Sequence, residues 1–260
     1  MITAHKKIAI KLPENSDFIT KARELAHILK VPLLKSEQLK DFDFILVFTN
    51  DHLQLQRSLH PKEKPLFIDF CSNKLLHRQK YGGGRGQLIA KAVSTKNTKP
   101  ENVKVLDATA GLGADAFVLA SLGYQVTMAE RSSIIGALLE NALERAKKNP
   151  EFSKLHLKLI IGDAISYMKK IANNEKLKPD VIYVDPMFPE RQKSALNKKE
   201  MRILKEIVGE DLDAGDLLNA ALKCARKKVV VKRPRLAPTI NEIIPKLTYQ
   251  GKSCRYDVYW

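Results

Sequence analysis

The segment VKVLDATAGLGADAFVLASLGYQVTMAE, residues 103–130, contains the pattern that decides the fold. It opens with a short apolar run that ends at Asp107 and continues through a loop with two glycines. A helical pattern at 114–122 follows, and then a second apolar run that ends at Glu130. Short apolar strands that alternate with helices are typical of a parallel sheet covered on both faces. The segment therefore predicts a β-α-β unit.

The same alternation continues toward the C-terminus. LHLKLIIG, DVIYVD and KKVVVKR predict three further strands, with helices at 133–148, 164–171 and 213–226. At the end of the chain, PKLTYQGKSCRYDVYW contains two strand patterns around Gln250-Gly251-Lys252, which predicts an antiparallel hairpin. The predicted fold class is α/β, a doubly wound, Rossmann-like sheet with the hairpin at its edge.

The first 80 residues have a different pattern and predict a small α+β unit. KKIAIKL reads as a strand, and the helical pattern over 16–30 has Ser16 as its expected N-cap. FDFILVFT and HLQLQRS flank Asn50-Asp51, which predicts a hairpin, and PLFIDF at 65–70 predicts one more strand. We therefore expect two domains, at 1–80 and 81–260.

The glycine-rich segment YGGGRGQLIAKAV, residues 81–93, marks the expected junction between these domains. Glycine clusters are usually loops, but glycine also lets a ligand approach the backbone at a helix N-terminus. The segment lacks the Gly-Lys-Ser/Thr of a P-loop. We interpret it as both a junction and a cap over a bound ligand.

Composition narrows the class of protein. A chain of 260 residues with 44% hydrophobic residues is long enough to bury a large core. Its apolar runs are strand-sized and far shorter than the ~20 residues of a membrane helix, and its N-terminus lacks the pattern of a secretion signal. Three scattered cysteines indicate neither a disulfide framework nor a zinc site. We expect a cytoplasmic protein without a bound metal.

The chain is strongly basic, with 45 Lys and Arg against 29 Asp and Glu, a net charge of +16. Such an excess attracts polyanions, so RNA or DNA is the expected partner. The alternative at this point is a generally basic surface with no specific partner.

The glycine loop allows two cofactors. Gly-x-Gly-x-x-Ala from Gly111, with Glu130 ending the next strand, matches a dinucleotide fingerprint. Asp107 argues against this, because its carboxylate would point to the crevice that a pyrophosphate occupies. Asp107-x-Thr109-x-Gly111-x-Gly113 instead resembles the first motif of class I S-adenosylmethionine-dependent methyltransferases, whose ligand carries an ammonium and a sulfonium and no phosphate.

The segment DVIYVDPMFPER places a second motif at the same edge of the predicted sheet. Asp185 can accept a hydrogen bond from an exocyclic amine, Pro186 fixes the backbone so that a carbonyl can accept another, and Phe188 can stack on a base. The motif resembles the Asp/Asn-Pro-Pro-aromatic motif of amino-directed nucleic-acid methyltransferases, with Met187 in place of the second proline. The alternative is an Asp N-cap followed by a proline turn.

Five segments together resemble one family, the ribosomal RNA small subunit methyltransferase J family. They are YGGGRGQLIAKAV, LDATAGLGADAFVLASLGYQV, AERSSIIGALLENAL, YVDPMFPERQKSALNKKEM and KKVVVKRPRLAP, and the similarity is strongest over residues 60–240. The resemblance implies a bacterial enzyme that transfers a methyl group from S-adenosylmethionine to the N2 amine of a guanosine in 16S ribosomal RNA. It also implies that naked RNA or the 30S particle is the substrate. We expect no membrane and no obligate protein partner.

The resemblance also assigns candidate site residues. Its cofactor contacts fall on Ala114, Asp115, Glu130, Arg131, Asp163, Ala164 and Asp185, beside the motif residues Asp107, Gly111 and Gly113. In this interpretation Glu130 binds the ribose hydroxyls and Asp163 the adenine amino group, while Asp185, Pro186 and Phe188 act on the base. Asp163 could equally be a helix N-cap, and Arg131 a solvated surface residue.

Basic residues follow two of the predicted strands, so they lie at the expected active-site rim and could contact phosphates. They are Arg191 and Lys193 after the DPMFP turn, and Lys232, Arg233 and Arg235 after the fifth strand. The alternative for each is a solvated loop charge. Two other functions remain open: an NAD-linked oxidoreductase, which leaves the DPMFP turn without a role, and a non-enzymatic RNA-binding protein, which makes the site redundant.

Overall fold

The computed structural model describes residues 6–60, 62–72, 75, 77, 84–187, 199–209 and 211–260. Its N-terminal unit contains the elements β1 (Ile8–Lys11), α1 (Ser16–Leu29), β2 (Leu33–Leu34), β3 (Phe44–Phe48) and β4 (Leu53–Arg57). The four strands form one sheet in the order β2-β1-β3-β4. β1 is parallel to both of its neighbours, and β3 and β4 form the predicted antiparallel hairpin.

Two predictions for this unit are wrong in detail. The N-cap of α1 is Asn15, whose side chain accepts a hydrogen bond from the Asp17 N–H at 3.0 Å; Ser16 is the first helical residue. The segment 65–70 is not a strand, since only Leu66 pairs, with Leu55 of β4. Pro65 has no N–H to donate to a ladder.

The large sheet has seven strands in the order β10-β11-β9-β8-β5-β6-β7. They are β5 (Lys104–Asp107), β6 (Gln125–Glu130), β7 (Leu157–Ile161), β8 (Val181–Val184), β9 (Lys228–Pro234), β10 (Leu247–Gln250) and β11 (Cys254–Tyr259). The pairs among β5 to β9 are all parallel, whereas β11 is antiparallel to both β9 and β10. The predicted doubly wound sheet with an edge hairpin is confirmed.

Helices cover both faces of this sheet. They are α2 (Leu88–Val93), α3 (Ala114–Ser121), α4 (Ser133–Lys147), α5 (Ala164–Ile171), α6 (Lys199–Val208) and α7 (Ala214–Cys224). α3 and α4 pack on one face and α5 and α7 on the other. The sequence analysis missed α6, although Ile203, Leu204, Ile207 and Val208 have helical spacing. In the described part of the chain, no helix is long and apolar enough to cross a membrane.

The N-terminal unit and the large sheet share one hydrophobic cluster. The ring of Phe70 stacks on that of Phe117 in α3, with centroids 5.3 Å apart, and Leu46 and Leu55 belong to the same cluster. Arg145 of α4 donates to the Ile68 carbonyl, which replaces the strand partner that this segment lacks. The division into domains at residue 80 stays a prediction.

The described part of the glycine-rich junction packs against the C-terminal hairpin. Gly84–Gly86 form a short turn before α2, and a Cβ added to Gly251 would lie 2.8 Å from the Leu88 side chain. Tyr81–Gly83 lie outside the described residues. The interpretation of this loop as a cap stays a prediction.

The fold brings the predicted site together through the order of its strands. β5 lies between β6 on one side and β8 on the other, in the middle of the five parallel strands. The chain therefore leaves the carboxyl ends of these neighbours in opposite directions, which opens a crevice where open α/β sheets bind their ligands.

Candidate active site

A cleft lies at the carboxyl ends of β5, β6 and β8. Six of the predicted site residues line it: Gly111, Glu130, Arg131, Asp163, Ala164 and Asp185. Five others are neighbours of these residues in the chain or in space but do not line the cleft: Asp107, Gly113, Ala114, Asp115 and Pro186. Phe188, Arg191 and Lys193 lie outside the described residues.

Glu130 organises the glycine loop. Its two carboxylate oxygens accept hydrogen bonds from the backbone N–H of Gly111 at 2.9 Å and of Ser132 at 2.8 Å. The residue is 4% exposed, and burial raises the pKa of its carboxyl while the two N–H donors lower it. These donors fix the carboxylate at the cleft wall, where its remaining lone pairs can accept hydroxyl groups.

The turn that contains Gly111 and Gly113 requires glycine. Both residues have positive φ, 53° and 71°, which side-chain-bearing residues rarely adopt. A Cβ on Gly113 would also lie 3.0 Å from the side chains of Phe70 and Leu139. Backbone conformation and close packing together explain why the loop has glycine at this position.

Asp107 lies beneath the glycine loop and is 2% exposed. Its carboxylate accepts a hydrogen bond from the Thr109 N–H at 3.1 Å. Burial raises the pKa of Asp107 to about 8, and the nearby charges of Asp115 and Asp185 act in the same direction. At neutral pH this carboxyl is therefore mostly protonated, so it adds little negative charge to the site.

Lys232 joins two carboxylates on the other side of the site. Its Nζ donates to Asp185 at 2.7 Å and to Asp115 at 2.9 Å, and the Tyr183 hydroxyl donates to Asp115 at 2.7 Å. Burial raises the pKa of Asp185, and Lys232 lowers it. Burial also opposes the charge on Lys232, but the two carboxylates outweigh it and raise the pKa of the ammonium. The cluster therefore holds Lys232 protonated beside Asp185.

The Asp185 turn is anchored to the glycine loop. The Asp185 N–H donates to the Thr109 hydroxyl at 2.6 Å, and Pro186 is buried. The Asp185 side chain remains 37% exposed, so it can still accept a hydrogen bond from a ligand. Pro186 and Met187, the described residues that follow Asp185, are not helical, so no helix begins directly after Asp185.

The sequence left open whether Asp163 is a helix N-cap or a cleft residue, and in the structure it is both. It is the N-cap of α5, where its carboxylate accepts the Ser166 N–H at 2.7 Å, and it also lines the cleft. Partial burial raises the pKa of Asp163, but the hydrogen bonds from Ser166 outweigh this effect and leave it below its usual value. Asp163 is therefore an anionic acceptor at the cleft.

Arg131 is paired within the site and is not simply a solvated surface residue. Its guanidinium forms ion pairs with Asp211 and, at 3.2 Å, with Asp213. Sequence reasoning missed both aspartates, which precede α7 and line the cleft. The signal available was their place at the start of the helix predicted at 213–226, but nothing in the sequence indicated that they face Arg131.

The three basic residues at the end of β9 differ in their surroundings. Lys232 lies in the carboxylate cluster described above, and Arg233 is 4% exposed and donates to the Pro238 carbonyl. Of the three, only Arg235 has an exposed position. The expectation that all three form one phosphate-binding surface is therefore not met for Arg233, because a buried guanidinium does not face solvent. Among the described residues, no cluster of His, Cys, Asp and Glu could hold a metal ion.

Comparison with known proteins agrees with these features. A family of SAM-dependent methyltransferases matches residues 28–260 of the chain. The crystal structure of a SAM-dependent methyltransferase from Neisseria gonorrhoeae superposes with a TM-score of 0.73 at 34% identity, covering 97% of this chain and 94% of that one.

Two further relatives are similar to this protein over almost its whole length. The ribosomal RNA small subunit methyltransferase J of Tolumonas auensis is 47% identical over 95% of this chain and 96% of its own length. The protein of the same name from Coxiella burnetii is 47% identical over 93% of this chain and 92% of its own length. The chain therefore belongs to the ribosomal RNA small subunit methyltransferase J family of S-adenosylmethionine-dependent methyltransferases.

Proposed function

We propose that this protein transfers a methyl group from S-adenosylmethionine to the N2 amine of a guanosine in 16S ribosomal RNA. The observation that carries the proposal is the Asp185-Pro186-Met187 turn, which stands at the rim of an acidic cleft at the carboxyl edge of the sheet. The relatives named above support the same class of reaction and substrate.

The side chains of the cleft fit S-adenosylmethionine better than a dinucleotide. Glu130, Asp163, Asp185 and Asp211 line it, and the described cation among the lining residues, Arg131, is already paired with aspartates. Carboxylates attract the ammonium and sulfonium of the methyl donor and repel a pyrophosphate. This charge pattern argues against an NAD-linked oxidoreductase.

When bound, S-adenosylmethionine supplies an electrophilic methyl group on a sulfonium. In our proposal Glu130 accepts the ribose hydroxyls, because Gly111 and Ser132 already hold its carboxylate in place. Asp163 accepts the adenine amino group, and the Gly111 turn lets the methionine part pass close to the backbone. Ala114, Asp115 and Ala164 stay as family-derived candidates for cofactor contact.

Asp185 and Pro186 are our candidates for the acceptor amine. The guanine N2 lone pair is delocalised into the ring, so the enzyme gains by holding the amine in line with the methyl carbon and away from water. The Asp185 carboxylate and the Pro186 carbonyl would each accept one N–H of this amine. Phe188, beyond the described residues, would stack on the base.

The charge of the chain supports RNA as the second substrate. The net charge is +16 although the cleft itself is acidic, so the positive charge lies elsewhere on the surface. Arg235 is exposed just beyond β9, at the same edge as Asp185. We propose it as a phosphate contact, together with Arg191 and Lys193, whose structure is not described.

The test is a methyl-transfer assay on small-subunit RNA from cells that lack this protein, both naked and assembled in 30S particles. We expect one labelled guanosine, identified as N2-methylated by mass mapping, and calorimetry that detects binding of S-adenosylmethionine and not NADH. Transfer to another base, or to no RNA, would refute the proposed function. NADH binding without S-adenosylmethionine binding would restore the oxidoreductase alternative.

A further inference from the structure

We infer that Asp211 is a positioning residue that closes the Asp185-Pro186-Met187 turn, in place of the second proline of Asp/Asn-Pro-Pro-aromatic motifs. The inference rests on the proposed function, since it concerns the turn that we assign to the acceptor base. Asp211 is 26 positions beyond Asp185 in the chain, just before α7.

Asp211 and Met187 are joined by two hydrogen bonds in opposite directions. The Met187 N–H donates to Asp211 Oδ2 at 2.6 Å, and the Asp211 N–H donates to the Met187 carbonyl at 3.2 Å. Both the N–H and the C=O of Met187 are therefore held by one residue. Such a reciprocal pair restricts the backbone on each side of Met187, including the Pro186 carbonyl that precedes it.

The Asp211 carboxylate is itself held in place. Its side chain is 11% exposed, and its other oxygen, Oδ1, is ion-paired with Arg131. Arg131 follows directly after Glu130, the residue at the end of β6 that we assign to the ribose. The connection Glu130, Arg131, Asp211, Met187 therefore links the cofactor side of the cleft to the acceptor turn through described contacts.

The chemistry explains why methionine can stand where related motifs have proline. Proline fixes φ near −65° and has no N–H that requires a partner. Methionine leaves φ free and adds an N–H that must be satisfied where the chain is partly buried. A charge-assisted hydrogen bond to a fixed carboxylate supplies both needs, the partner and the restraint.

Asp211 also lines the cleft, so a direct contact with the methyl donor is the competing role for its side chain. If it acted by binding the methyl donor, its removal would weaken cofactor affinity whatever residue stands at 187. If it acts through the Met187 N–H, its removal should have little effect on a chain that lacks this N–H. A double-mutant cycle with Met187→Pro separates the two.

The experiment compares Asp211→Ala, Met187→Pro and the double variant in single-turnover transfer at saturating S-adenosylmethionine and RNA. In the wild-type background we expect Asp211→Ala to slow transfer on the order of 10-fold to 10²-fold, as a misplaced reacting group does. In the Met187→Pro background we expect it to change the rate by no more than about twofold, because the N–H through which Asp211 acts is already absent; such non-additivity is the signature of two coupled residues. Equal losses in both backgrounds, with weakened cofactor binding, would overturn the inference.

Asp213→Ala is the matched control. Asp213 is also ion-paired with Arg131, but it has no described contact with the turn, and its side chain is 43% exposed. We expect it to slow transfer less than Asp211→Ala does, because the Met187 N–H keeps its acceptor in this variant. A loss as large as that of Asp211→Ala would assign the effect to Arg131 and overturn the inference.

Hydrogen exchange keeps the inference testable if Met187→Pro does not fold or the proposed function fails. In the full-length protein, without RNA, the amide of Met187 should exchange faster in Asp211→Ala than in the wild type, and Asp213→Ala should leave it protected. Unchanged protection in Asp211→Ala would overturn the inference. Absence of methyl transfer by the wild-type protein would refute only the proposed function.

Discussion

The two sides of the candidate site hold their carboxyl groups in place by different means. On the side of β5 and β6, Asp107 and Glu130 accept backbone N–H groups of the glycine loop and of the residues that follow β6. On the side of β8 and β9, Asp185 and Asp115 share the ammonium of Lys232. The first side is held by the local fold and the second by ion pairs between distant parts of the chain.

This difference should separate the effects of mutation and pH. On the glycine-loop side the hydrogen-bond donors are backbone N–H groups, which remain when a side chain is replaced. Substitutions there should therefore leave the loop in place and mainly change the affinity for the cofactor. The charge of Asp185 depends on one side chain, so the other side should respond in rate and in the dependence of rate on pH. Four predictions test this division, in order of decreasing effect.

The largest effect is expected for Asp185. Asp185→Ala should lower single-turnover methyl transfer by at least about 10²-fold, as expected for a positioned contact that acts in the transition state. Asp185→Asn should retain more activity, because its amide oxygen can still accept a hydrogen bond. Calorimetry with S-adenosylmethionine serves as the control, since Asp185 also borders the cofactor cleft. Near-normal transfer by Asp185→Ala would remove the assignment.

Glu130 should affect binding of the cofactor and not the chemical step. Glu130→Ala should weaken S-adenosylmethionine binding by about 1.5–3 kcal/mol, as expected for hydrogen bonds to a charged group. Glu130→Gln should weaken it less, because the amide oxygen can still accept one of the two backbone N–H groups. Circular dichroism and thermal unfolding check that the loop remains folded. Unchanged affinity in Glu130→Ala would contradict the comparison.

Lys232 should control the pH at which Asp185 is charged. Burial raises the pKa of Asp185 and Lys232 lowers it, so Lys232→Met should raise that pKa further. If transfer needs the anion, the rate of the variant should fall at a higher pH than that of the wild type. A shift of one pKa unit corresponds to about tenfold on the acid side of the profile.

The measurement is the single-turnover rate at saturating substrates over the whole pH range in which the wild type and the variant stay folded. Lys228→Met is the control, since Lys228 is on the same strand and donates to the Ser94 carbonyl, away from Asp185. We expect the deficit of Lys232→Met to shrink as the pH rises. A loss of the same size at every pH would show that Lys232 acts in another way, such as contact with RNA.

Arg235 should have the smallest effect, limited to RNA affinity. If Arg235 contacts one duplex phosphate, Arg235→Ala should make the negative slope of log affinity against log salt less steep by about 0.9. Lys99→Ala, which removes an exposed cation ahead of β5 at the opposite edge of the sheet, should leave the slope unchanged. Equal slopes for the wild type and Arg235→Ala would mean that Arg235 is an ordinary surface charge.

Much of the fold could be predicted because it follows from local patterns. The strands of the large sheet have apolar runs at regular spacing, and the turn at Gln250-Gly251 separates two strands that do pair as a hairpin. The prediction of a strand at 65–70 was wrong, and the alternating pattern gives no sign of the cause. Its alternating side chains are buried as in a strand, but the Ile68 carbonyl is bound by Arg145 and not by a neighbouring strand.

The candidate site was predictable only to the level of residue types at strand ends. Glu130 and Asp185 were identified because the carboxyl ends of adjacent parallel strands meet at one edge. Asp211 was missed, because its contact with Met187 depends on how the chain returns after α6. No local pattern encodes a hydrogen bond between two loops 24 residues apart.

Lys232 and Arg233 are neighbours in the sequence, but the structure gives them different surroundings. The sequence by itself determined a parallel α/β sheet, its glycine loop, its acidic strand ends and the basic run at the end of β9. Only the tertiary structure decided that Lys232 faces Asp115 and Asp185 while Arg233 is buried near Pro238. Successive side chains of a strand point to opposite faces of the sheet, so Lys232 and Arg233 lie in different surroundings. Their charges are equal in the sequence, but their partners come from parts of the chain that only folding brings together.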